Sequence, residues 1–118
     1  MALSETKPPV NYRGRMADYT ILDAAKHELK GIWKYTATEW SIEQADKYHN
    51  LLEKCCERIS EGSAYQRPVP NSTDVFVHRC EHHYILFTKR QGAVVILAFL
   101  HERMDLGQRL ERILARMV

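Results

Sequence analysis

The sequence predicts a two-layer α+β fold in which an N-terminal helical hairpin packs on a small antiparallel sheet, in the order β-α-α-β-β-β, with a C-terminal helix. Three observations lead to this prediction. Apolar residues recur at helical spacing through the first half of the chain. They alternate or run continuously, as in strands, between residues 74 and 101, and they return to helical spacing from residue 106 onward.

Length and composition fit one domain that does not cross a membrane. At 118 residues, with 45% apolar and 27% charged side chains, the chain is typical of a single globular domain. The longest apolar run, residues 93–100, is much shorter than the roughly 18 residues that a membrane span requires. Residues 1–17 contain adjacent prolines and no apolar periodicity, so we expect a flexible N-terminal arm followed by one domain over residues 18–118.

The first half of the domain predicts a short strand followed by two helices. The strand is DYTIL, residues 18–22, and Asp23 is a suitable N-cap for the first helix. One apolar face of that helix is formed by Ala25, Leu29, Ile32, Trp33, Thr36 and Trp40. Ser41 and Gln44 form a capping box that begins the second helix at once, and Gly62 is a typical residue to end it. The two helices are therefore expected to form an antiparallel hairpin.

The second half predicts three strands. Residues 63–73 hold two prolines and several turn formers and are predicted to be a loop. Strands are expected at 74–79, 82–89 and 93–101, with Arg90-Gln91-Gly92 as the turn between the last two. The last strand is almost continuously apolar, which is typical of a strand that is covered on both sides. We therefore place it at the centre of the sheet.

The C-terminal segment, residues 106–118, predicts a short basic amphipathic helix. Its apolar positions are Leu106, Leu110, Ile113, Leu114 and Met117, and its other side carries Arg109, Arg112 and Arg116. Residues 63–118 hold eight basic and five acidic side chains. An excess of this size fits a nucleic acid or an acidic protein as partner, and it also arises by chance.

The cysteines and histidines predict neither a disulfide nor a metal site. Cys55 and Cys56 are adjacent on a predicted helix, where a bond between them would strain the backbone, and Cys80 is distant in sequence. All three are therefore expected to be free thiols. The six histidines lack the spacing of metal ligands, so no metal is expected. Free thiols and the lack of an apolar signal segment near the N-terminus together predict a cytoplasmic protein.

Two segments resemble a known family. YTILDAAKHELKGIWKYTATEWSIEQADKYHNLL, followed by HHYILFTKRQGAVVILAFLHERMD, is similar to the RelE/ParE superfamily of toxins from bacterial type II toxin-antitoxin modules, especially its ParE branch. The resemblance covers about residues 18 to 110. The features that carry it, in order, are Ala24, Ala25 and Leu29 after the opening strand, Trp40 with Gln44, the aromatic strand from Tyr84 to Phe87, and His101, Met104 and Asp105 after the last strand.

The resemblance implies a small toxin that inhibits growth, needs no cofactor and is neutralised by a cognate antitoxin that wraps the toxin with a helix and a strand. In the ParE branch the implied target is DNA gyrase. In the RelE branch the implied activity is metal-independent cleavage of mRNA in the ribosome. The two branches therefore imply different classes of function, inhibition by binding and catalysis.

The residues that match the RelE pattern favour binding over catalysis. RelE-type members place lysines on the strand that matches residues 75–79, an arginine at the start of the next strand, an arginine after the last strand and a tyrosine in the tail. In place of the lysines this chain has Val75 and Val77, and the next strand offers Tyr84 in place of the arginine. Residues 106–118 contain no tyrosine, so only Arg103 matches the RelE pattern. Loss of proton-transfer groups commonly costs about 10² to 10⁴ in rate each. We therefore expect a gyrase inhibitor, with a ribosome-dependent ribonuclease as the alternative.

Three sets of candidate residues follow from the resemblance. If the chain is a ribonuclease, its remaining site is expected at Arg79, His83, Tyr84, His101 and Arg103. Target contacts are expected at Arg103, Arg109, Arg112 and Arg116, and antitoxin contacts at Trp33, Trp40 and Tyr48. Purely structural roles remain open: His101 bonded to a strand end, Arg103 paired with Glu102 or Asp105, and tryptophans in the core.

Overall fold

The structure is a computed structural model that describes residues 19–64, 66–69, 72 and 74–117. The predicted arm over residues 1–17 lies outside the described residues, so the domain boundary at residue 18 stays a prediction. None of the described helices is both long enough and apolar enough to cross a membrane.

The predicted α+β architecture is confirmed, with an N-terminal helical hairpin, a sheet and a C-terminal helix. The elements, in chain order, are β1 (Tyr19–Ile21), α1 (Asp23–Glu39), α2 (Ile42–Glu61), β2 (Arg67–Pro68), β3 (Val75–Cys80), β4 (His83–Arg90), β5 (Ala93–His101) and α3 (Leu106–Met117). The strand order in the sheet is β1-β5-β4-β3-β2. The apolar strand β5 therefore has a neighbour on each side, as its composition predicts.

Two details of the sheet differ from the prediction. β1 pairs parallel to β5, with Tyr19 opposite Val94, whereas the other strand pairs are antiparallel. The segment predicted to be a loop contains the short strand β2, in which Pro68 lies opposite Phe76. A proline is tolerated there because β2 is an edge strand and needs no donor on its outer side.

The helix ends follow the predicted capping residues in one helix and not in the other. Ser41 Oγ accepts the Gln44 N–H at 3.0 Å, and α2 stops at Gly62, which has a φ of 78°. The prediction that Asp23 is the N-cap of α1 was wrong, because Leu22 occupies that position without a side-chain hydrogen bond. Asp23 lies in the first helical turn, where its charge still favours the positive end of the helix dipole.

The sheet separates two apolar layers. The helical hairpin covers one face, on which buried residues include Ala25, Leu29, Leu52, Cys55, Ile59, Ile85, Phe87, Ile96 and Phe99. The other face carries Val69, Val75, Val77, Leu86, Ala98 and Leu100, against which Leu110, Ile113 and Leu114 of α3 pack. Residues of β5 contribute to both layers, so this strand is central to the core.

A β-bulge in β5 changes which residues face the hairpin. Leu86 pairs with Ala98 and Phe87 pairs with Ile96, so Leu97 is an additional residue in the ladder. Ile96 faces the helical hairpin, and without the bulge the next residue to do so would be Ala98. Instead Phe99 packs in the hairpin layer, and His101, two residues further on, follows the same alternation.

The prediction that all three cysteines are free thiols was wrong. Cys55 in α2 and Cys80 at the end of β3 form a disulfide, with 6.6 Å between their Cα atoms. Packing of the helical hairpin on the sheet brings these residues together although 25 positions separate them in sequence. Cys56 is a free, buried thiol, and burial raises its pKa to about 12.

Candidate functional site

A groove of about 1150 Å³ lies between the helical hairpin and the end of β5. Its walls are mainly apolar and include Ile32, Tyr35, Trp40, Tyr48, Leu51 and Phe99. One end of the groove is polar and is formed by His82, His83, His101, Glu102 and Arg103. The groove therefore joins an apolar surface to a polar cluster at the end of the central strand β5. A mainly apolar pocket with a few polar groups is typical of a binding site.

The apolar part of the groove leaves two large aromatic side chains exposed. Trp40 is 72% exposed and Tyr35 is 66% exposed. Trp40 follows the last residue of α1, at the tip of the hairpin, where no other element covers it within the described residues. Large exposed aromatic groups beside a groove are typical anchors for a protein partner.

Of the three residues predicted to contact an antitoxin, the structure brings two to the groove. Trp40 and Tyr48 line it, whereas Trp33 does not. The indole N–H of Trp33 donates to Asp46 Oδ1 at 2.8 Å, and this hydrogen bond joins α1 to α2. Trp33 therefore has a structural role in the hairpin.

Tyr48 and His83 form the buried side of the polar end. Tyr48 Oη and His83 Nδ1 share a hydrogen bond of 2.7 Å, and Tyr48 Oη also accepts the backbone N–H of His82 at 3.2 Å. Burial, followed by the nearby His101 and His82, lowers the pKa of His83 to about 4. His83 is therefore neutral at pH 7.

Glu102 forms the exposed side of the polar end. Its carboxylate is ion-paired with Arg79 and lies 2.9 Å from His82 Nδ1. The hydrogen bond from His82 and the charge of Arg79 lower the pKa of Glu102. Arg79 also donates to Tyr84 Oη at 3.4 Å, with its guanidinium 5.6 Å from the centre of that ring.

Glu102 is absent from the candidate residues chosen from the sequence. The signal that could have indicated it is its position directly after the central strand, between His101 and Arg103. The pairing with Arg79 and His82 becomes visible only when β3, β4 and β5 are aligned in the sheet.

His101 and Arg103 are connected through the backbone. The Arg103 N–H donates to His101 Nδ1 at 3.1 Å, so His101 carries its proton on Nε2 while it is neutral. The ring of His101 meets that of His83 edge to face, with 5.1 Å between their centres. His101 therefore has the strand-end role that the sequence left open.

The Arg103 side chain is exposed, and its guanidinium has no hydrogen bond or ion pair with any described residue. The pairing of Arg103 with Glu102 or Asp105, which the sequence left open, is not found among the described residues. Glu102 binds Arg79 and His82, and Asp105 Oδ1 accepts the backbone N–H of Gln108 at the start of α3. Arg103 thus presents, at the polar end of the groove, a positive charge that no described residue pairs.

The three arginines of α3 differ in their surroundings. Arg109 Nη2 lies 2.6 Å from Glu28 Oε2, so its charge is already paired inside the domain. Arg112 and Arg116 are exposed on the outer side of the helix. Of the four predicted target contacts, Arg103, Arg112 and Arg116 are therefore accessible, whereas Arg109 is engaged by α1.

The chemistry of the polar end is dominated by internal hydrogen bonds. Nδ1 of His83 and Nδ1 of His101 each take part in an internal hydrogen bond, and both oxygens of Glu102 are paired. Within the described ranges, no group of three or more His, Cys, Asp or Glu residues has a geometry that could hold a metal ion. The arrangement fixes the end of β5 and leaves Arg103 free to contact a partner.

Comparisons with known proteins converge on one family. Residues 19–106 match the family described as the ParE toxin of the type II toxin-antitoxin system, parDE. The chain is 36% identical over 100 residues to Toxin ParE of Escherichia coli, which covers 80% of this chain and 94% of that protein. It is 28% identical over 90 residues to Toxin ParE1 of Caulobacter vibrioides, covering 76% of this chain and 94% of the relative. Toxin ParE1 of Mycobacterium tuberculosis is 24% identical over 94 residues.

Proposed function

The chain belongs to the ParE toxins of type II toxin-antitoxin systems, and from this premise we propose that it inhibits growth by binding and poisoning DNA gyrase. A cognate antitoxin neutralises it. Since gyrase acts on the chromosome of bacteria, the toxin then acts in the cytoplasm.

The observation that carries this proposal is Arg103 at the end of the central strand, whose guanidinium has no partner among the described residues. The sheet and the hydrogen bonds of His101 and Glu102 hold the backbone of this segment, so the arginine extends from a rigid base. Arg112 and Arg116 add two exposed cations on α3. Cations on a rigid surface suit an acidic surface on a protein target, where they increase both specificity and the rate of association.

RNA cleavage is the alternative, and the state of the polar end argues against it. Metal-independent cleavage needs one group that takes a proton from the 2′-hydroxyl and another that protonates the leaving oxygen. His83 is buried, neutral and hydrogen-bonded to Tyr48, and Glu102 is held by Arg79 and His82. Groups engaged in this way are poorly suited to exchange protons with a substrate.

The groove supports neutralisation by an antitoxin. Its apolar wall suits the apolar face of an amphipathic helix, for which Trp40 and Tyr48 would be the anchors. An antitoxin strand that adds to an edge of the sheet would extend the interface. Occupancy of the groove would also cover its polar end, including Arg103.

The proposal is tested by induced expression of the chain in bacteria without an antitoxin. Poisoned gyrase leaves broken DNA, so we expect an SOS response and filamentous cells, and purified toxin should stabilise gyrase cleavage complexes on plasmid DNA. An immediate arrest of translation with transcripts cut at ribosomes, and no DNA breaks, would instead support the ribonuclease.

A further inference from the structure

The carboxylate of Glu28 connects three elements of the fold. Glu28 lies on α1, and its side chain is 25% exposed. Oε1 accepts the backbone N–H of Phe99 in β5 at 3.0 Å, and Oε2 lies 2.6 Å from Arg109 Nη2 in α3. We call this arrangement the Glu28 bridge.

The Phe99 N–H is available to Glu28 because β1 is short. β1 pairs only with residues 94–96 of β5, and its last contact with this edge is the Leu22 N–H donating to the Ile96 carbonyl at 3.1 Å. Beyond Ile96 no described strand lies on this side of β5. A half-buried N–H without an acceptor is costly, so Glu28 completes the hydrogen bonding of the strand where β1 ends.

The other side of the Glu28 bridge fixes α3. Leu110, Ile113 and Leu114 attach this helix to the sheet through half-buried apolar contacts. Apolar contacts are not directional and leave rotation and sliding of the helix poorly determined. A charge-assisted hydrogen bond has a defined geometry, and among the described residues Arg109–Glu28 is the ion pair that joins α3 to the rest of the domain.

We infer that Glu28 is a positioning residue for target engagement: through Arg109 it fixes α3 against the edge of β5. It thereby sets where Arg112 and Arg116 lie relative to Arg103. Arg109 is then an internal contact and not a target contact. The inference rests on the proposed function only in assuming that α3 and the end of β5 contact the target together.

The variant Glu28→Gln separates the two sides of the bridge. Glutamine keeps an oxygen for the Phe99 N–H, so the sheet edge is preserved, but it loses the charge that holds Arg109. We expect amide hydrogen exchange in α3 to become about three- to tenfold faster, with exchange in β4 and β5 unchanged. Growth inhibition by the variant should also weaken. Glu111→Gln, which removes an exposed carboxylate of α3, is the matched control and should change neither measurement.

A double-mutant cycle with Arg109→Gln tests whether the two residues act together. Each single variant should inhibit growth less than the wild type. The double variant should inhibit growth as strongly as the less toxic of the two single variants. Unchanged exchange in α3 of Glu28→Gln, additive effects in the cycle, or faster exchange with full growth inhibition would each overturn the inference. Exchange and growth inhibition are measured without reference to gyrase. A wild-type toxin that leaves gyrase untouched would therefore refute the proposed function alone.

Discussion

Tyr48 of α2 and His83 of β4 share a 2.7 Å hydrogen bond that joins the helical hairpin to the sheet at the polar end of the groove. The same hydroxyl accepts the backbone N–H of His82 at 3.2 Å. One side chain thus supports both the buried histidine and the turn before β4, and its removal has a predictable cost.

The first prediction concerns this hydroxyl. Tyr48→Phe removes both hydrogen bonds and leaves His83 Nδ1 without its partner, so we expect the free energy of unfolding to fall by about 1–3 kcal/mol. Urea denaturation monitored by circular dichroism measures the change. Tyr35→Phe is the matched control, because Tyr35 also lines the groove but is 66% exposed, and it should change stability by less than about 0.5 kcal/mol. Equal effects of the two variants would contradict the assigned role of Tyr48.

The second prediction concerns pH. The pKa of His83 is lowered from its ordinary value of 6.5 to about 4 in the folded protein. Between these two pKa values the unfolded chain binds more protons at His83 than the folded protein does. The contribution of His83 to the free energy of unfolding therefore falls as the pH falls from about 6.5 to 4, and it changes no further below pH 4. We expect a loss on the order of 1–3 kcal/mol over this window.

Comparison with His83→Gln isolates this contribution. The groups that face His83 are Tyr48, His101 and His82, with Glu102 nearby, and they remain in the variant. Other groups also titrate, including His49, whose pKa is raised mainly by its hydrogen bond to Glu53 and whose effect has the opposite sign. Unfolding measured from pH 7 to 4 should therefore show a shallower loss in His83→Gln. Parallel curves for the two proteins would refute the prediction.

The third prediction concerns Arg103. Its side chain is exposed and has no described partner, so Arg103→Ala should change stability by less than about 0.5 kcal/mol. The amount of inducer required for growth inhibition should rise at least tenfold, because the positive charge at the end of β5 is lost. Arg90→Ala removes an exposed arginine at the opposite end of β4 and serves as the control, with toxicity retained. Full toxicity of Arg103→Ala would remove this residue from the target surface.

The fourth prediction concerns Trp40. This side chain lines the groove and is 72% exposed, so Trp40→Ala should leave folding and growth inhibition nearly intact. Calorimetric titration with the cognate antitoxin should show affinity reduced about 30-fold or more, the size typical of an aromatic anchor. Ile42→Ala, which truncates a 64% exposed side chain outside the groove, is the control and should bind normally. If both variants bind the antitoxin as tightly as wild type, the groove is not its docking site.

Patterns that depend on neighbouring residues predicted most of the fold. The period of the apolar residues indicates the helices and strands, and the capping residue Ser41 and the turn residues Gln91 and Gly92 mark where elements end. Ala93–His101 is predicted at its observed bounds and in its central position, because a strand with neighbours on both sides leaves a continuous apolar run.

Features that depend on distant residues were not accessible in this way. The bulge at Leu97 arises from the register of β4 against β5, and it decides that Phe99 faces the hairpin. The pairing of Glu102 with Arg79 needs the alignment of β3 with β5 across β4. The Glu28 bridge joins residues 71 and 81 positions apart, which no local pattern indicates.

The disulfide is a further long-range feature, and the last prediction concerns it. The Cys55–Cys80 bond closes a loop of 25 positions and joins α2 to β3, so opening it should lower the free energy of unfolding by about 3 kcal/mol through the greater freedom of the unfolded chain. Urea denaturation of the oxidised protein with and without dithiothreitol measures this difference. The double variant Cys55→Ala/Cys80→Ala is the control, because its stability should not respond to the reductant.

Thiol counting tests the same bond directly. The oxidised protein, unfolded without reductant, should bind one equivalent of a thiol reagent at Cys56 and three after reduction. In the folded protein Cys56 should react slowly, since it is buried and its pKa of about 12 keeps it protonated at pH 7. Three reactive thiols in the unreduced, unfolded protein would show that the Cys55–Cys80 bond is absent and that all three cysteines are free, as the sequence predicted. The link between the hairpin and the sheet would then consist of packing and of hydrogen bonds that include Tyr48–His83 and Glu28–Phe99, and Tyr48→Phe would remove the first of these.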